Sequence, residues 1–413
     1  MLTEWTGPAY WIGVLSPPRY AKFLEYLVGW LTVALWWFVC TGNMLYLGQY
    51  SLGLAEAMNP GYVATPWQVY LVSAAYTLII TVVNLPGFFK LIPHLMTAAI
   101  VIINATWIFI LLAMLIRAQP KASAQAVFVD VVNESGWSSN GVVFFLALLP
   151  GLLSIGGFDA CTHITDEVPS AGRDIPQVIV GSAILNAISG FVMVLVYSFC
   201  AGAVNPAGWF NPFCHQPLLN VLKDGLRSDA LFYTATIALI LSIFLGTLAG
   251  FTSWNRLYWS FSRTGGLPFS AATSKLASKD NIPVNALIAN AVLVLALSTI
   301  GIGSLTALNA LFGSSAILSL LSYSLNLLMA ILRGRDLLDH SRWLNLGRWG
   351  LLLQVIALVW CVFVSVWLCF PLYLPVNAET MNWTVVIALG IVVVSSCYYQ
   401  AFAKRASTPV SSD

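Results

Sequence analysis

Apolar residues gather along this chain in long blocks separated by short polar or turn-forming stretches. Ten blocks stand out, at 26–47, 69–89, 95–116, 141–158, 178–201, 231–251, 284–302, 305–331, 351–372 and 383–399. Most are about 20 residues long, the length a helix needs to cross roughly 30 Å of hydrocarbon at 1.5 Å per residue. Turn chemistry falls between them, as at Asn59-Pro60-Gly61, Ile92-Pro93, Asn205-Pro206, Pro283 and Arg333-Gly334-Arg335. The pattern predicts an all-α polytopic membrane protein with about ten transmembrane helices. Residues 1–403 are expected to form one transmembrane domain, and 404–413 a short cytoplasmic tail.

Composition agrees with that reading: of 413 residues 59% are hydrophobic and 8% charged, against about 25% charged in a soluble domain. Lipid is therefore the expected partner for most of the surface. The formal net charge of +2 offers nothing to nucleic acid. The placement of charge says more. Fourteen of the eighteen Lys and Arg residues, including Arg19, Lys90, Arg263 and Lys404, fall on one side of the ten-span scheme, and only Arg117, Lys121, Lys223 and Arg227 on the other. Because short loops retain Lys and Arg in the cytoplasm, both termini are expected there, in a plasma-membrane protein. The loops near Val127 and Phe213 then lie outside, where Asn133-Glu134-Ser135 is a glycosylation sequon. Trp209, Phe210 and Phe213 read as an interfacial aromatic belt. The residues after Met1 lack the basic and apolar regions of a cleaved signal peptide. Seven cysteines include no CxxC pair, and Cys200 and Cys214 are expected as unpaired thiols rather than a disulfide.

An ionisable group deep in a span is costly and usually lines a cavity. Nine blocks hold none away from their ends. The fourth continues as GLLSIGGFDACTHITDEV from Gly151 to Val168, which singles out Asp159. Gly156-Gly157 beside it is a weak point, since each glycine costs a helix about 1 kcal/mol relative to alanine. The 29 residues 140–168 would reach about 43 Å as continuous helix, which leaves room for an unwound stretch. Discontinuous helices of this kind hold solutes near the midplane in secondary transporters. The alternative is a span that ends at Phe158 and leaves Asp159 solvated.

The segment GGFDACTHITDEV followed by SAGRDIP resembles the sixth-helix signature of the amino acid-polyamine-organocation superfamily. WNRLYWSFSRTGGLPFS, from Trp254, is similar to the end of that superfamily's eighth helix and its loop. TGPAYWIGVLSPPRYAKFLEYLVGWLTV, from Thr6, is similar to the end of the second helix and the start of the third. In order and spacing they resemble the fungal amino acid and choline permease branch. The resemblance implies the leucine-transporter fold and a proton-coupled permease for amino acids or small amines such as choline or 4-aminobutyrate. It implies substrate contacts at Ser154, Gly156, Gly157, Phe158 and Asp159, with Phe158 stacking on a cationic amine, and a cytoplasmic gate at Glu167 and Arg173. It also implies that the ten spans are helices three to twelve, the first helix and most of the second not being represented. A substrate sensor without transport, or an inactive truncated permease, is the alternative. No cofactor is expected, and the expected partners are the bilayer and a small amine or amino acid.

An enzyme is disfavoured because His94, His163, His215 and His340 are scattered and no HExxH or phosphate-binding GxxxxGK[ST] motif occurs.

Overall fold

A computed structural model describes residues 7–201, 214, 216–277, 281–333, 343–378 and 380–403, without the side chains at 166, 167, 305 and 403. The belt residues Trp209, Phe210 and Phe213, His215 and His340, the expected tail 404–413 and the Glu167 side chain lie outside that description. Among the described residues, nine helices are long and apolar enough to cross a membrane. The tenth expected span is interrupted.

In chain order, a short α1 (Pro8–Leu15) leads through Pro17 into the 41-residue α2 (Pro18–Met58). Then come α3 (Pro66–Val83) and α4 (Ile92–Arg117). The interrupted span consists of α5 (Asn140–Leu146), α6 (Leu148–Ser154) and a 3-10 segment, Ala160–Glu167. Six long helices complete the chain: α7 (Ala171–Cys200), α8 (Asp229–Arg263), α9 (Val284–Ser298), α10 (Leu305–Arg333), α11 (Trp349–Trp367) and α12 (Thr384–Tyr398).

The interior is built around α2, which packs against α1, α3, α8, α9, α10 and α12. Small residues on α2 let its neighbours approach closely. The ring of Phe261 in α8 lies against Gly29, Phe312 in α10 against Gly42, and Ser73 in α3 against Gly48. Tyr26, Trp30, Trp254 and Phe261 fill the space between α2 and α8. At the periphery the polarity of a soluble protein is inverted, with Leu351, Leu352, Val355, Ile356 and Val359 of α11 all exposed. Such faces suit hydrocarbon.

Several hydroxyls inside the bundle are satisfied within their own helices, which suits a lipid surround. Thr32 donates to the Val28 carbonyl, Thr41 to Trp37, Ser73 to Val69 and Thr77 to Ser73, all at 2.7 to 2.9 Å.

Candidate functional site

The sequence predicts a break at Gly156-Gly157, and the break is present. Gly157 has φ +81°, a left-handed conformation that costs glycine little and other residues considerably more. Helix α6 therefore stops at Ser154, and the chain resumes as 3-10 turns from Ala160. A second interruption, at Ala147, was not foreseen. Its cause is Pro150, which has no N–H to give the Leu146 carbonyl and whose ring crowds that carbonyl.

The turn carries Asp159 inward. The residue is 7% exposed, so the alternative of a solvated Asp159 beyond the span is excluded. Its carbonyl accepts from Thr162 Oγ1 at 2.7 Å, while its carboxyl faces the buried hydroxyl of Tyr323 on α10. That hydroxyl makes no hydrogen bond of good geometry. The Phe158 ring lies 5.8 Å from the Tyr323 ring. Ser253 on α8 donates to the Ala160 carbonyl, and Trp36 on α2 donates Nε1–H to His163 Nε2 at 3.1 Å. Helices α2, α8 and α10 thus hold the broken segment.

A cavity of about 1080 Å³ opens against it. Gly156, Gly157, Phe158 and Asp159 line it, as do Trp36, Asn43 and Tyr46 from α2. Thr247, Thr252 and Ser253 of α8 contribute hydroxyls, as do Ser315 and Ser319 of α10. Tyr46 and Phe312 stack at one end, centroids 5.3 Å apart and planes at 8°. At another part of the lining, Phe89 carries the Arg256 guanidinium 5.3 Å from its centroid. Asp159 is the one charged side chain among the described residues lining the cavity.

Four of the five expected substrate contacts therefore line the cavity. Ser154 stands apart: its hydroxyl donates to the Gly151 carbonyl at 2.7 Å and lies beside Gly190 of α7. Arg173 is exposed in the first turn of α7. Sequence reasoning missed Tyr323, Asn43, Tyr46 and the serines because it searched the spans for charges alone. A signal existed. Phe312, Ser315, Ser319 and Tyr323 recur every three or four residues, which places them on one face of α10.

A bundle of apolar helices surrounding a cavity at a broken span, with a carboxylate and unwound backbone facing into it, defines the class of α-helical secondary transporters. The comparisons give the family: the amino acid permease family model matches residues 6–393, and the chain belongs to that family, within the amino acid-polyamine-organocation superfamily. It is similar to a choline transporter of Saccharomyces cerevisiae, 26% identical over 97% of this chain and 70% of that protein. It is also similar to an amino-acid permease of Arabidopsis thaliana, 24% identical over 98% of this chain and 80% of that protein. A swainsonine transporter of Arthroderma benhamiae is 23% identical, over 97% and 78% respectively. The protein is a multi-pass membrane transporter of small polar solutes of the amino acid and amine class, and not an enzyme.

Proposed function

We propose that this permease carries small amines with a cationic headgroup, such as the cation choline or the zwitterion 4-aminobutyrate, by proton-coupled secondary transport, across the plasma membrane and with both termini cytoplasmic. The observation that carries the reading is the single carboxylate, Asp159, in a cavity rich in aromatic rings. An ammonium headgroup would pair with Asp159 and lie against the π faces of Phe158, Trp36 or Tyr46, an attraction worth about 2 kcal/mol when desolvated. Serine and threonine hydroxyls and the unwound backbone at Gly156-Gly157 would take the uncharged or anionic end of the solute. The similarity to a choline transporter supports the same class. In this reading Glu167 and Arg173 form a latch on the cytoplasmic side.

Uptake of labelled choline, 4-aminobutyrate and neutral amino acids into a transport-deficient host tests the assignment. Saturable choline uptake that excess leucine leaves unchanged is the expected result. Uptake of neutral amino acids with no response to choline would defeat it.

A further inference from the structure

We propose that His163 is a proton-binding switch that ties the broken span to the cavity wall, so that a proton on His163 and a cationic solute compete for Asp159. The hydrogen bonds fix the resting state of the imidazole. An indole N–H can only donate, so His163 Nε2, which receives Trp36 Nε1–H at 3.1 Å, carries no proton. The ring proton is then on Nδ1, which faces Thr162 Oγ1 at 3.4 Å. Thr162 uses its own hydrogen on the Asp159 carbonyl at 2.7 Å, so its lone pairs are free to accept from Nδ1–H. The file Trp36, His163, Thr162, Asp159 is consistent only with a neutral imidazole.

A second proton would set N–H against N–H at the Trp36 contact. The bond would be lost, and the imidazolium would be drawn toward the carboxylate four residues earlier. Trp36 and Asp159 both line the cavity, whereas His163 is 4% exposed and lies behind it. Protonation would thus release one cavity-lining side chain, Trp36, and offset the charge of another, Asp159.

The surroundings leave Asp159 as the charge that acts on the ring among the described residues. Tyr323 of α10 and Cys161 face Asp159 rather than His163. Helices α2 and α8 present Trp36 and Ser253 to this segment, neither of them ionic. Helix α7 also packs on it, with Arg173 and Asp174 in its first turn. From the N-terminal side, the Gly7 backbone packs over Thr162 and His163.

The competition rests on the function proposed above, but the switch can be read without any solute. Purified protein in lipid nanodiscs, titrated from pH 8 to pH 4, should show a change in tryptophan emission in the wild type as His163 takes up its second proton. The change should be lost in His163→Gln, whose amide oxygen accepts from Trp36 and does not titrate. It should also be lost in Trp36→Phe, which removes the reporter and leaves the histidine. A transition of unchanged midpoint and amplitude in either variant overturns the proposal. In uptake, the apparent KM for choline should rise toward tenfold per pH unit below the midpoint, the limit for one-proton competition. A wild-type KM that stays flat through an intact fluorescence transition refutes the competition. Absence of amine uptake at every pH defeats the proposed function and leaves the emission result to decide the switch.

Discussion

Replacing Asp159 by Asn removes its charge while nearly keeping its shape, which separates electrostatics from packing at the cavity wall. A charge-assisted contact contributes about 1.5 to 3 kcal/mol, so Asp159→Asn should raise the apparent KM for a cationic amine by about 10- to 150-fold. Uptake kinetics equal to wild type would show that the carboxylate is not read by the solute. A second residue makes a prediction about reactivity. Cys214 is a buried free thiol packed under Gly53 and Leu219, and burial pushes its pKa up to about 11, with Glu56 adding to the effect. The reactive thiolate is therefore scarce at neutral pH and grows as pH rises toward that value. A variant retaining Cys214 alone should react with maleimide at pH 7 on the order of a hundredfold more slowly than a thiol of ordinary pKa near 8.5. Labelling at the ordinary rate would mean that the thiol is open to water.

At the scale of elements, α2 and α10 meet where Gly42 faces the ring of Phe312, which in turn stacks on Tyr46. A Cβ at position 42 would overlap that ring. Gly42→Ala should therefore displace Phe312 and cost about 1 to 3 kcal/mol by overpacking, seen as a lower unfolding temperature in lipid or detergent. Gly151→Ala is the control, because a Cβ there meets open space. The existence of the long helices was legible from apolar blocks of bilayer length, and the weak point at Gly156-Gly157 from glycine chemistry. Two things were not. The stop at Ala147 hinges on Pro150, whose effect on an apolar run is invisible to a count of hydrophobic residues. Tyr323 sits more than 150 residues from Asp159 in sequence, and only the packing of α10 on the broken span brings them together.

For the whole molecule, the charge bias and the broken span are linked by parity. Nine long helices are an odd number, so opposite sides for Arg117 and Arg173 require residues 140–167 to supply the tenth crossing. Helices α5 and α6 give about 22 Å of helix and the 3-10 segment about 16 Å more, enough for 30 Å of hydrocarbon even with the unwound turn between them. Charge alone barely chooses. If this segment did not cross, the later loops would exchange sides, and thirteen of the eighteen Lys and Arg residues would share one side instead of fourteen. Two positions separate the schemes. Ser138 is exposed just before α5, and Lys275 is exposed after α8. With the crossing they face opposite compartments, and without it the same one. In a background lacking reactive cysteines, Ser138→Cys should be modified by an impermeant maleimide added to intact cells, and Lys275→Cys only after permeabilisation. Labelling of both from outside would mean that the broken span re-enters without crossing. The cavity at Asp159 would then need a different account of how a solute reaches the far side, since α7 to α12 would all be inverted relative to α2.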